Sequence, residues 1–394
     1  MKKLILGVAL MLSVATFAQK DELKTLKKLY SRENLNEKDI VLYKSTIASL
    51  ESIASEKSDK VYLNFYKGML PLIEIMSLGD TVTPADQMRV FNPKALDDLS
   101  NSLVATIDFE KESGKEIYTK DIEETLSWFK PMLSQFAFQL NSNSKFKEGS
   151  ELFYNIYKLD KNDGSNLENA AILAVQAQDY VQAEKYYREF FNSDYINKHI
   201  NYFAINKASG QEESFPSRES RMKSIGLGIH EKPREEKLSV KKPEISKTIA
   251  VLSFQNGNIE QAKKDYKLAK ELNPDDIEVL SNEANVYYQS NDLVSYEKLV
   301  KELILKDPTN ASLHFNIGYL SLSEDQKIVD ELNKNTSNNK LYNELMEKRK
   351  AIFRNALPHF EKSYSLDSSN DNTKQLLRLT YEVLGMKDKA ATIK

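Results

Sequence analysis

From about residue 130 onward, apolar positions fall three and four apart in short runs, and each run is closed by a glycine, asparagine or proline signal. That spacing puts the apolar side chains on one face of a helix, so each run predicts an amphipathic helix rather than a strand. The runs also recur at a fixed interval. After Pro243 come Ile249-Ala250, a Gly257-Asn258 break, Ala262, Tyr266, Ala269 and Pro274. The same layout returns from Ile277 as Glu283-Ala284, Tyr287, Asn291-Asp292, Tyr296, Val300, Leu303 and Pro308, so that Pro274 and Pro308 lie 34 residues apart.

Upstream, Leu133, Phe136-Ala137, Leu140, Gly149, Phe153 and Ile156 form one unit, and Leu167, Ala170-Ala171, Ala174, Asp179-Tyr180, Ala183, Tyr187 and Phe190 form the next. Phe136 and Ala170 are again 34 residues apart. A small residue recurs in each first helix, at Ala137, Ala171, Ala250, Ala284 and Gly318, where a neighbouring helix can approach closely. A lone helix pair cannot cover its apolar stripe, so successive pairs are expected to stack.

This layout resembles the tetratricopeptide-repeat (TPR) family over residues 130–310, apart from one interruption. The resemblance implies an all-α, right-handed solenoid of antiparallel helix pairs with an irregular insertion. The expected organisation is a leader at 1–18, degenerate helix pairs capping the array at 19–129, two repeats at 130–197, a basic insertion at 198–242 and repeats at 243–322. Charged helices with an Asn-rich loop follow at 323–349, and TPR-like helices at 350–394. In the cap, Ile40, Tyr43, Ile47 and Leu50 make one stripe and Leu96, Leu99, Leu103 and Ile107 another. The helix carrying His314, Ile317-Gly318 and Ser321 resembles a first helix whose partner is expected to be displaced, to Ala356, Phe360 and Ser363.

The insertion changes the charge picture locally. It holds 10 Lys/Arg against 6 Asp/Glu in a chain of formal net charge −3, and its Phe215-Pro216-Ser217 and Lys232-Pro233 breaks predict a surface excursion. The run from Tyr202 to Ile249 resembles an interruption in bacterial envelope TPR proteins of unassigned function.

Composition supports helices, with only 12 glycines and 10 prolines in 394 residues. The chain opens with Lys2 and Lys3, an uncharged stretch from Leu4 to Ala18, and then Gln19, the order of a secretory signal peptide. Later segments are too short and too charged to span a bilayer, so the mature chain is expected to be exported, periplasmic or extracellular, without a membrane span. There is no cysteine, which removes disulfides, thiolate nucleophiles and Cys-based metal sites. The acidic balance gives no whole-chain reason to expect nucleic acid.

Candidate chemistry is sparse. His199, His230, His314 and His359 show no i, i+4 spacing suited to a metal on one helical face, so no metal site is predicted. Gly226-Leu227-Gly228 lacks the third glycine of a dinucleotide loop, and the adjacent acids Glu123-Glu124, Glu212-Glu213 and Glu235-Glu236 read as solvated surface. No catalytic or cofactor-binding residue is therefore assigned, and no cofactor is expected.

The resemblance instead implies a partner-binding groove on the first helices, opposite the packed stripe. That face carries Lys247, Val251 and Phe254, then Asn282, Asn285, Tyr288 and Gln289, then Phe315, Asn316 and Tyr319. Asparagine both donates and accepts, as an extended peptide backbone requires. The family's carboxylate-clamp variety is not matched, because Val251 stands where its first asparagine would be and the third repeat lacks the basic pair. The expected function is a non-catalytic envelope scaffold that binds a protein or peptide. The alternatives are a secreted structural or adhesive component using its outer face, and an enzyme whose site is assembled by the fold.

If the leader is removed after Ala18, mass spectrometry of the exported protein will find Gln19 at the N-terminus, free or cyclised. An intact Met1 would overturn that expectation.

Overall fold

The computed structural model describes residues 19–32, 35–83, 86 and 92–393. The leader expected at 1–18 lies outside the described residues. Of the described residues 76% are helical, and the chain divides after Ser239 into two units.

In the first unit residues 19–30 form α1, followed by α2 (Glu37–Ile53), α3 (Lys57–Ser77), α4 (Pro93–Ser113), α5 (Thr119–Ser142), α6 (Phe146–Leu159), α7 (Ser165–Gln176), α8 (Tyr180–Asn192) and the short α9 (Asp194–Lys198). Helices α3 and α4, α5 and α6, and α7 and α8 pack as successive antiparallel pairs, and α6 also packs on α7. The second unit holds α11 (Lys242–Gln255) to α19 (Lys387–Thr392), beginning with the pairs α11/α12 (Ile259–Leu272) and α13 (Ile277–Gln289)/α14 (Leu293–Lys306). The boundary drawn at 129/130 falls inside α5, which accommodates Pro131 and buries Phe129.

The turns inside the pairs explain the repeat. Ser144, Gln178, Gly257, Asn291 and Gly385 all adopt left-handed backbone, with φ of 59°, 58°, 77°, 59° and 74°. In each case the next residue's N–H reaches back to a carbonyl five positions earlier, as from Asn258 to Ser253 and from Asp292 to Tyr287, both at 2.9 Å. This closes the first helix and satisfies one of its terminal carbonyls. Asp179 and Asp292 then accept from the N–H groups of Gln182 and Ser295 and start the second helix.

The displaced pairing is also present. α15 (Ala311–Ser321) packs on the 28-residue α17 (Asn339–Leu366), past the interposed α16 (Asp325–Lys334). A Cβ on Gly318 would stand 2.7 Å from the Phe360 ring, and Ala356, Phe360 and Ser363 are buried. The Asn-rich loop is shorter than the 333–340 stretch that suggests it: residues 335–338 connect α16 to α17, and the two residues on either side are helical. α18 (Asp371–Val383) and α19 complete the unit.

The cap region is held differently. Tyr30, Tyr43, Phe65, Tyr66 and Tyr118 pack ring to ring. The fully buried Glu110 on α4 accepts from the N–H groups of Ile117, Tyr118 and Thr119 at 2.8–3.0 Å, at the start of α5.

The insertion differs most from expectation. It is an ordered antiparallel sheet, β2 (Glu212–Phe215), β1 (Ile200–Asn206) and β3 (His230–Lys237) in that order, with α10 (Arg218–Gly226) packed against it. Pro233 lies on the edge strand β3 and Pro216 just beyond β2, where neither removes a ladder donor that the sheet needs.

The repeat turn sets a stability test. A Cβ at Gly257 meets nothing within 4 Å, so Gly257→Ala carries only backbone strain and should cost about 1 kcal/mol. Ser144→Gly at the equivalent turn should shift stability the other way, by several tenths of a kcal/mol, both read by denaturant unfolding.

Candidate functional site

The ten groove residues expected on α11, α13 and α15 separate into those spent on packing and those left free. Lys247 is not an open cation. Its Nζ lies 3.0 Å from Glu278, 3.1 Å from Glu244 and 3.5 Å from Asp276, and the hydrogen bond to Glu278, with Glu244 and Asp276 adding, holds its pKa well above the usual lysine value. Val251 and Phe254 pack on the core around Ala250, Ala262 and Tyr266. Phe315 packs against the cluster around Phe360, with ring centroids 5.9 Å apart. Asn282 and Asn316 are half-buried, and Asn316 hydrogen-bonds the Tyr296 hydroxyl.

Asn285, Tyr288, Gln289 and Tyr319 remain exposed. Tyr288 is 51% exposed with its ring 5.1 Å from that of Tyr296, and Tyr319 is 55% exposed with its ring stacked on Phe315. The two tyrosines therefore have rings fixed on one side and open on the other, which lowers the ordering cost of covering them.

The first unit carries a second surface of this kind that the repeat pattern did not single out. Between α1, α3 and α5 lies a cleft of about 400 Å³ lined by Tyr30, Met69, Ile73, Met76 and Trp128, with Asp121 and Glu124 at its edge. Trp128, the only tryptophan, is 47% exposed and Met76 is 62% exposed. The signal was present in the spacing, because Asp121, Glu124 and Trp128 fall on one face of α5.

The second helices also enclose clefts. One of about 480 Å³ runs along α4, α6 and α8, where Tyr154 stacks on Tyr186 at 4.3 Å and donates to Glu189 at 3.1 Å. Burial pushes the Tyr154 hydroxyl well above its usual range. Another of about 480 Å³ lies between α12 and α14, with Glu283 and Tyr287 of α13 lining it.

The insertion assembles three residues that the sequence kept apart. Ser224 Oγ lies 2.7 Å from His230 Nδ1, and His230 Nε2 lies 2.8 Å from Glu213 Oε2. Because an ionised carboxylate only accepts, Nε2 carries the proton and, in the neutral ring, Nδ1 accepts from the serine hydroxyl. Ser224 sits in the last turn of α10, where the helix's negative end opposes charge developing on oxygen. The arrangement ties α10, β2 and β3 together. Arg221, 3% exposed, adds a second tie through the Arg234 carbonyl at 2.7 Å and Glu235 at 2.8 Å. Within the sheet Arg234 also pairs with Glu212 at 2.8 Å.

His314 and His359 lie 6.4 Å apart, and burial, helped by His314, lowers the pKa of His359. Among the described residues no group of three or more His, Asp and Glu side chains is placed to hold a metal.

With this geometry established, the chain can be set beside known proteins. No family model matches it. No curated protein matches it either. Among solved structures, it is similar to a TPR-repeat protein from Bacteroides fragilis, at 13% identity over 65% of this chain and 98% of that one, with a TM-score of 0.40. It is also similar to YrrB, described as a TPR protein with an unusual peptide-binding site, at 14% identity over 68% and 98% of the two chains and a TM-score of 0.35. MamA from Desulfovibrio magneticus aligns at 10% identity over 58% and 89%, with a TM-score of 0.33. The fold is TPR-like. That statement rests on the chain's own stacked pairs and on turns spaced 34 residues apart at Ser144 and Gln178 and again at Gly257 and Asn291.

The His230 tie can be tested alone. His230→Ala should open residues 207–229 to limited proteolysis at a protease level that leaves the parent insertion whole, while the helical circular dichroism signal stays unchanged. Equal resistance in parent and variant would show that the tie is dispensable.

Proposed function

We propose that the protein is an exported, non-catalytic interaction scaffold of the bacterial cell envelope that binds another protein or a peptide on the first-helix faces of its repeats. The observation that carries this reading is the contrast on α13 and α15. Phe315 is drawn into the core beside Phe360, whereas Tyr288 and Tyr319 stay half exposed, and α13 also leaves the amides of Asn285 and Gln289 exposed. Covering an aromatic side chain fully contributes roughly 1.5–3 kcal/mol, and the amides can pair with a backbone laid across them.

Export is supported by the charged start and short apolar stretch ahead of Gln19. No described helix is long and apolar enough to cross a membrane. The rival reading, a contact surface built on the basic insertion, is weakened by the internal pairing of Arg221 and Arg234 with Glu235, Glu212 and Glu236.

The test is the double variant Asn285→Ala with Tyr288→Ala, used to capture partners from the protein's own envelope fraction. Capture of the partner should weaken at least tenfold, a change that needs only about 1.4 kcal/mol. Stability should hold, because both side chains are exposed. A variant that melts like the parent and captures the same partner equally well would exclude this face.

A further inference from the structure

Glu283 occupies a position on α13 that the other repeats fill with Phe136, Ala170, Ile249 and Ile317. It is 7% exposed, and its enclosed Oε2 has no hydrogen-bond partner. A carboxyl in an otherwise apolar stripe costs stability unless something pairs with it. Burial raises its pKa; Lys270 acts against that and Glu302 with it. Lys270 and Glu302 are themselves joined at 2.7 Å, so neither is free to serve Glu283.

Glu283 lines a cleft whose other walls supply the missing chemistry. At about 480 Å³ the cleft falls within the range of roughly 300–1,000 Å³ usual for small-molecule sites. Lys267 of α12 and Lys298 of α14 are exposed on its two sides, and Pro274, Tyr287 and Leu299 give it apolar surface. Glu302 on the lining is paired with Lys270, and Glu271 lies exposed at the cleft's edge, so the charges facing the interior are the buried Glu283 carboxyl with the Lys267 and Lys298 ammonium groups outside it. A simple anion would leave Glu283 unpaired, and a simple cation would face two lysines; a molecule carrying both charges close together answers both. We propose that this cleft binds a small zwitterion of the α-amino-acid type, its ammonium on Glu283 and its carboxylate on Lys267 and Lys298.

The first unit contains an internal contrast. In the cleft along α6 and α8 the same repeat register keeps a lysine, Lys185, where Lys298 stands, but places Ala170 and Ala174 where Glu283 and Tyr287 stand. That cleft has the lysine without the buried carboxyl. The proposal is independent of the first-helix faces and of any macromolecular partner.

Calorimetric titration of the mature full-length protein with L-leucine tests it, with leucinamide and 4-methylpentanoate as probes lacking the carboxylate and the ammonium. Leucine should bind, both truncated probes should bind at least tenfold more weakly, and Glu283→Gln should weaken leucine at least tenfold. Glu283→Leu should abolish binding while keeping or raising the unfolding midpoint, since it restores the apolar residue used by the other repeats. No leucine binding up to millimolar concentration, leucine bound equally by parent and Glu283→Gln, or either truncated probe bound as tightly as leucine would each overturn the proposal.

Discussion

The close approach of paired helices at one small residue governs this molecule. Ala137, Ala171 and Ala250 are wholly buried, Ala284 nearly so, and Gly318 leaves no room for a Cβ beside the Phe360 ring. Backbones brought this near bury the apolar stripe of both helices, and dense packing then makes each added methylene costly. The left-handed residue at each turn aims the second helix back along the first, so the contact and the turn impose the same 34-residue period. On the face opposite the contact, Asn285, Tyr288, Gln289 and Tyr319 are left to solvent.

That division explains where binding chemistry can reside. On the packed side, Val251, Phe254 and Phe315 contribute to cores and can be removed only at the expense of stability. Lys247 joins α11 to the start of α13 through Asp276 and Glu278 and is an electrostatic tie between repeats. The open side keeps Asn285, Tyr288, Gln289 and Tyr319 in the second unit, and Trp128 and Met76 in the first. Glu283 breaks the division, since it places a carboxyl on the packed side, lining the cleft between α12 and α14.

The repeats were legible because burial and helix period coincide. Ala250, Tyr266 and Leu303, read as stripe residues, are buried, and the distant partner of α15 was found at Ala356 and Phe360 from the same rule. The sheet was not legible, because the runs Glu212–Phe215 and His230–Lys237 carry little apolar alternation. Cross-strand pairs such as Arg234 with Glu212, and Arg234 lying 4.2 Å over the Phe203 ring, hold it instead. The boundary drawn at 129/130 missed that the helix runs on: α5 continues through Pro131 and carries Trp128 on its exposed side. Of the expected groove residues, Val251, Phe254 and Phe315 are drawn into cores, whereas Asn285, Tyr288, Gln289 and Tyr319 stay exposed. Phe315 meets Phe360 from 45 positions away, a contact that no local pattern encodes.

The central claim is that partners are held on the first-helix faces of a stack kept rigid by its small-residue contacts. Hydrogen–deuterium exchange of the mature protein, alone and bound to the partner it captures, addresses this directly. The account predicts that slowed exchange on binding concentrates in α13 and α15, or in the Trp128-bearing stretch of α5, with α12, α14 and the insertion unchanged. Protection confined to the second helices or to residues 200–237 would contradict it.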